Sequence, residues 1–437
     1  MSAFPSLKLL FLLLPLLLLG CFLAAEALEI GIGIGSTEPA AAPAPDECGD
    51  CPPPEPECPP PPPHLPLISD SLARAATVIR RFRSTITDDP KSITKTWVGD
   101  SPMDVCTKYR GFFCETPPER KDLTLASIDF NGFSLVSYGI NVLLENFTDI
   151  ALFHANSNNF SGPITPKIAN LRYLFELDLS NNKFSGEFPA AVLQVKNLDF
   201  LDLRFNKLSG FVPRELFLKP LTVLFINNNV FKQMVPKNLG SSPVRFLTLA
   251  NNGFTGSISS SIGDAKNTLE EVLFLNNKLS GCLPYEIGFL QKATVFDAGG
   301  NSLVGEIPVS FGCLTKVEQL NLARNKLTGE IPEVVCALPR LLNLSLSDNY
   351  FTSVGPLCQK LIEKKVLDVR GNCIPGCPSQ RSQQECYKFQ CSEPVNCPCP
   401  PTPPCKLPLL QLALLAPPPP ALSHVPSKAS YSALHRP

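Results

Sequence analysis

A chain of 437 residues has room for two or three average domains or for one elongated repeat domain with tails. Its 38 Lys and Arg nearly cancel 39 Asp and Glu, and a formal charge of −1 excludes bulk electrostatic attraction to nucleic acid or to an anionic membrane surface. The excesses are 46 prolines and 17 cysteines, and both are clustered.

The first element, residues 1–25, carries one basic residue, Lys8, then an apolar run and a small-residue exit at Leu23-Ala24-Ala25. That order predicts a secretory signal that is removed. The rival, an uncleaved anchor, is disfavoured by the shortness of the run and by Pro15. Loss of the signal takes Cys21 with it and leaves 16 cysteines in an oxidising compartment, so disulfides are expected. Residues 26–66 form a Pro/Cys-rich linker, with polyproline II favoured at "CPPPPPH", Cys58 to His64. The later run "LPLLQLALLA", Leu407 to Ala416, is too short to span a membrane, and no transmembrane anchor is expected.

The middle of the chain is a repeat. The pattern L-x-x-L-x-L-x-x-N-x-L-x-G-x-I-P places one asparagine per unit at Asn158, Asn182, Asn206, Asn229, Asn252, Asn277, Asn301, Asn325, Asn349 and Asn372, 23 to 25 residues apart. An earlier unit, "LASIDFNGFSL", has Phe133 in that place. A unit of this size cannot fold alone; stacking, which buries both flanks, supplies the core. Alternation at "LDL" predicts a short strand in each unit, with strands side by side in parallel. The asparagine after each strand is expected to pair its amide with backbone groups left open by the turn. In "LDLSNNKFSGEFP", Leu177 to Pro189, this register makes Asn182 buried and Asn181 exposed. The fold predicted is an α/β leucine-rich-repeat solenoid of about 10–11 repeats, with a parallel β-sheet on its concave face and disordered proline-rich arms at both ends.

"LTGEIP", "LVGEIP" and "LSGFVP" resemble plant extracellular leucine-rich repeats. Denser matches, among them "TWVG", "ALFHANSNNF", "ELDLSNNKFSGEFPAAVL", "GCLPYEIGFL" and "NLSLSDNYFT", resemble the leucine-rich-repeat extensins of plant cell walls, and specifically their extensin-poor relatives. The resemblance implies an N-terminal cap at 67–120, a helix ending near Asp89-Pro90 with Trp97 as its plug. It also implies repeats over 121–372, a C-terminal cap at 373–391 and a proline-rich tail at 392–437. It implies a secreted protein of the cell wall (apoplast) that binds basic cysteine-rich peptides of the rapid alkalinization factor type, often as a homodimer. The chain departs from that family in lacking Ser-Pro-Pro-Pro-Pro blocks, so covalent fixation in the wall is not expected.

Cys106 and Cys114 are expected to staple the cap. Cys313 and Cys336, and equally Cys336 and Cys358, occupy near-equivalent places in adjacent repeats, and spacing alone does not choose between them. Cys358, Cys373, Cys377 and Cys386 form a C-terminal set, whereas Cys397 and Cys405 fall in an arm where intermolecular bonding is expected. Sequons stand at Asn146, Asn159 and Asn343, the second on an accessible turn and the third projecting from the sheet.

No arrangement of the four histidines, and no Walker, G-x-S-x-G or H-E-x-x-H motif, points to catalysis; no cofactor or metal is expected. Between the inward leucines, side chains form outward lanes: His154, Asp178, Asp202, Phe225, Thr248, Leu273 and Asp297 in one, and Glu176, Phe200, Val223, Phe246 and Glu271 in the next, with Phe205 a step further along its strand. Solvent-facing aromatics beside acids suit a ligand with apolar and basic side chains. The expected ligand site is His154, Glu176, Asp178, Phe200, Asp202, Phe205, Phe225, Phe246 and Asp297, for a peptide, a protein or a wall polysaccharide. The competing functions are inhibition of a microbial polygalacturonase and a structural wall role.

Overall fold

Strand, turn and a short 3-10 helix recur with the 24-residue period. The structure, a computed structural model, describes Asp70–Cys391 together with Cys397, Pro398 and Cys405. The signal, the linker at 26–66, most of the tail and Cys48, Cys51, Cys58 and Cys399 lie outside the described residues.

One strand per repeat enters a twelve-stranded sheet that runs from Phe112–Glu115 to Leu367–Asp368. All its pairings are parallel except the first, between Phe112–Glu115 and Thr124–Asp129. The register is one residue per lane: His154 pairs with Asp178, Asp178 with Asp202, Asp202 with Phe225 and Phe225 with Thr248. Inward residues such as Leu177, Leu201, Leu224 and Leu247 are buried with the phenylalanines that follow the turns, Phe160, Phe184, Phe231 and Phe254. Each turn then leads through a lateral strand into a 3-10 helix whose preceding residue is the proline of the "G-x-I-P" element, as at Pro213, Pro284 and Pro308. Proline ends the lateral strand because it has no N–H to donate, and its fixed φ suits the entry to the helix.

The ladder asparagines bind backbone in both directions. Asn182 accepts from Phe160 N–H at 3.1 Å through Oδ1, and through Nδ2 donates to the carbonyls of Ala155, Leu179 and Ser180. The same arrangement recurs at Asn158, Asn206, Asn229, Asn252, Asn277, Asn301, Asn325, Asn349 and Asn372. Phe133, at the equivalent place in the first unit, packs its ring at a tilt against Phe130 instead.

The lateral strands form two five-stranded sheets, broken between Lys207–Ser209 and Thr255–Gly256. At the break the sequence reads "FKQMVP" and lacks the glycine whose positive φ other units use, as at Gly186 with φ 94°. Gln233 bridges the gap with its side chain, accepting from Val212 N–H at 2.7 Å and donating to Val212 O at 3.0 Å.

The N-terminal cap is a helix, Asp70–Arg83, that buries Leu72, Ile79 and Phe82. It ends earlier than the expected Asp89-Pro90, because Ile86–Asp88 pairs antiparallel with Val136–Tyr138 and Asp89 accepts from the N–H groups of Ile93 and Thr94. Trp97 is fully buried, and its indole donates to Arg110 O.

Five disulfides are present among the described residues. Cys106–Cys114 closes the cap, Cys336–Cys358 joins adjacent repeats, and Cys373–Cys386 closes the C-terminal end. Of the two alternatives left open for Cys336, the pairing with Cys358 is the one that forms, and Cys313 bonds to Cys405. Two expectations are corrected: Cys397 bonds to Cys282 within the chain, and Cys377 carries a free thiol. The tail is therefore tied intramolecularly to the repeats at two points. Cys336 is bonded on its other side to Cys358 in the next repeat, with Cα atoms 5.1 Å apart.

Candidate functional site

The outward lanes are continuous across the sheet, since Glu176, Phe200, Val223, Phe246 and Glu271 pair in that order, as do His154 through Thr248. Phe200, Phe225 and Phe246 are half-buried, so each shows part of its ring to solvent. Phe200 and Phe225 meet edge to face at 6.3 Å. Sequence reasoning missed the cations beside them: Arg204 lies over the Phe225 ring at 5.0 Å and Arg245 over Phe246 at 5.5 Å. Arg204 follows Asp202 by two residues, and that period of two was the available signal.

Phe205 is half-buried and holds a φ of 53°. The equivalent places carry Ser157, Asn181, Asn228, Asn251 and Asn276, so a bulky side chain is the exception in this left-handed row.

The aspartates differ from the expectation that they face solvent. Asp178, Asp202 and Asp297 sit in their lane but are buried, at 5%, 0% and 0% exposure. Each folds its Oδ1 back to accept a main-chain N–H two residues on, from Ser180, Arg204 and Gly299. They are turn caps of the Asx type. Thr248 and Asn321 cap Ala250 and Ala323 in the same way from the same lane. Burial pushes the Asp202 carboxyl up to about 8; the Arg204 guanidinium, 2.9 Å from Oδ2 but not aligned for a hydrogen bond, pulls against this, and the Asp178 charge adds to it.

At the sheet's N-terminal side His154 Nε2 and Glu176 Oε2 are 2.9 Å apart. Burial works to lower the His154 pKa, but the Glu176 hydrogen bond and the charges of Asp178, Glu176 and Asp129 outweigh it and the net shift is upward. Burial, with Glu270 nearby, raises Glu271. Glu270 is itself held by Arg245 through two hydrogen bonds, of 2.9 and 3.1 Å. The structure thus brings Glu176, Phe200, Phe225 and Phe246 together on an accessible face, sets Asp178 and Asp202 beneath it, and leaves Asp297 apart, bonded to Asn321 Nδ2 at 3.1 Å.

Of the sequons, Asn146 and Asn343 are exposed, Asn343 on the strand Asn343–Ser345 of the large sheet. Asn159 is half-buried within a lateral strand instead of on an open turn. Among the described residues no group of His, Cys, Asp and Glu is placed to hold a metal ion, and no helix is long and apolar enough to cross a membrane.

Comparison with known proteins agrees with the repeat. The family described as Leucine Rich Repeat matches residues 173–194 and 316–338. Leucine-rich repeat extensin-like protein 6 of Arabidopsis thaliana is 47% identical over 334 residues, which is 76% of this chain and 69% of that protein. Extensin-like protein 7 of the same plant is 48% identical over 327 residues, 75% of this chain and 73% of that one. Of extensin-like protein 2, 39% identical, the chain spans only 28%. Among solved structures, the plant peptide hormone receptor RGFR1 in complex with RGF2 superposes with a TM-score of 0.51 at 27% identity, over 54% of this chain and 38% of the receptor. The ectodomain of GASSHO1/SCHENGEN3 from Arabidopsis thaliana, at 22% identity and a TM-score of 0.56 over 65% of this chain and 36% of that one, shares the fold.

Proposed function

Because the chain belongs to the leucine-rich repeat extensin-like family, we propose that it is an extracellular binding protein, not an enzyme, whose large sheet face receives a peptide or protein ligand. The observation that carries the reading is the run of half-exposed rings at Phe200, Phe225 and Phe246 on three adjacent strands, flanked by Glu176 and Glu271. Aromatic side chains supply contact area at low entropic cost, and acids at the rim select a basic partner. The peptide complex of RGFR1, on a related fold, supports a peptide over a small molecule. A basic, cysteine-rich signalling peptide of the rapid alkalinization factor type, acting in cell-wall formation and growth, is the ligand that fits this chemistry.

The test is titration calorimetry of the secreted protein with such a peptide. Phe200→Ser with Phe246→Ser should weaken binding at least tenfold, since truncating anchors of this kind removes on the order of 2 kcal/mol each. Unchanged affinity would remove the rings from the site. Aspartate substitutions are poorer tests, because Asp178 and Asp202 cap turns.

A further inference from the structure

Past the aromatic strands the same sheet changes character. The residue before each ladder asparagine is left-handed, with φ between 51° and 66° from Ser157 to Gly371, and its N–H donates to the next repeat, as from Asn228 to Ala250 O and from Asn251 to Leu275 O. Over three consecutive repeats the side chains in this row also join. Asn276 Nδ2 donates to Asn251 Oδ1 at 2.7 Å, and Asn251 Nδ2 to Asn228 Oδ1 at 3.1 Å. Arg324 reaches across Gly300 to Asn276 Oδ1 at 3.2 Å. Asn227 donates to Asn228 Oδ1 at 2.7 Å, while its own Oδ1 is buried without a hydrogen-bond partner.

Backbone conformation alone does not account for this row. Asparagine tolerates positive φ, but Ser157, Phe205 and Arg324 hold the same conformation, so the turn does not demand it. Nor does the turn orient the amides, which here all donate in one direction along the solenoid and so polarise one another. Asn251 and Asn276 each spend one N–H and one lone pair on a neighbour and keep one of each. The residues just before this row, Ala250, Leu275, Gly299 and Ala323, are small or apolar and buried, so they set no further hydrogen-bonding side chain beside the amides.

We propose that the row Asn228, Asn251, Asn276 and Arg324 binds an extended polysaccharide chain, laid along the solenoid with one sugar per repeat. Sugar hydroxyls donate and accept at once, as half-used amides require. Spacing separates a glycan from a peptide: neighbouring repeats are about 4.8 Å apart, close to the advance of one sugar in an extended chain, whereas a strand-like peptide advances about 3.3 Å per residue and falls out of step with the amides. The exposed guanidinium of Arg324 at one end fits the carboxylate of a uronic acid. Asn251, Asn276 and Arg324 lie past Phe205 in this row and include none of the rings Phe200, Phe225 and Phe246; the proposal rests on the extracellular reading and not on the peptide site.

The experiment titrates the secreted full chain with two probes, a cello-oligosaccharide and an oligogalacturonide. The wild type binds at least one, and Asn251→Gly with Asn276→Gly weakens that binding about tenfold or more. Glycine keeps the positive φ, as Gly300 does in the same row, and thermal melting checks that the variant is folded. If the double variant does not fold, Asn276→Asp replaces it, because Asp348 holds the equivalent place with φ 56°. Arg324→Gln separates the two sources: it lowers affinity for the oligogalacturonide by a larger factor than for the neutral probe if uronate is the ligand, and by a similar factor for both if it is not. Peptide binding is unchanged in these variants, so failure here is distinguishable from failure of the peptide site. Absence of binding to both probes, or wild-type affinity in the folded variant, overturns the proposal.

Discussion

Asn181 and Asn182 are neighbours in sequence with opposite consequences. Asn182 holds four backbone groups of two repeats, so Asn182→Ala leaves buried donors and acceptors open and should cost about 2–4 kcal/mol by denaturant unfolding. Asn181 is exposed with φ 52°, and Asn181→Gly should change stability by only a few tenths of a kcal/mol. Asp202 tests burial against pairing. Its folded pKa, about 8, lies above the unfolded value near 3.9, so between these the native state holds a proton that the unfolded state lacks. Its contribution is fully present below about pH 4 and is lost as pH rises through about 8. Asp202→Asn, which mimics the neutral acid and has a precedent in Asn321, should therefore melt near the wild type at pH 4.5 and several degrees above it at pH 8.5. A melting difference that does not grow with pH would show that Arg204 keeps the carboxylate ionised. At Phe205 the left-handed backbone disfavours a bulky side chain, so Phe205→Asn should stabilise by about 1 kcal/mol while weakening ligand binding. Stabilisation without loss of binding would make Phe205 an incidental strain.

At the scale of the strand, the alternation in "ELDL", "FLDL" and "VLFI" was enough to place Glu176, Phe200 and Val223 in one lane and Asp178, Asp202 and Phe225 in the other. Period two states which way a side chain points, but not how far its neighbours close over it. Asp178 and Asp202 were for that reason legible in position and illegible in exposure: Arg204 lies against Asp202, and main-chain N–H groups draw both carboxylates inward. The face also titrates in one sense. His154 loses its proton at a raised pKa, and Glu271 and Asp202 become ionised late, so rising pH makes the face more negative. Affinity for a basic peptide should increase from pH 5 to pH 8, read by calorimetry in buffers of matched ionic strength; a flat profile would place the peptide's cations elsewhere.

For the molecule as a whole, the ladder was legible because ten asparagines recur with one period, and the Cys336–Cys358 link lay among the alternatives that this period allowed. The Cys282–Cys397 and Cys313–Cys405 links span 115 and 92 residues and join a periodic segment to one without periodicity, so no spacing rule reached them. They hold the start of the tail against the repeats, and non-reducing peptide mapping should recover both crosslinked pairs. Iodoacetamide should label Cys391, which is exposed and free, before any reduction. Whether the ligand lies over the aromatic strands is read by hydroxyl-radical footprinting of the secreted protein with and without its basic peptide. Oxidation of Phe200, Phe225 and Phe246 should fall on binding, while that of Phe211, 77% exposed and outside the strands of the large sheet, stays the same. Protection confined to Phe211 or to the 3-10 helices, with the three rings still oxidised, would contradict it.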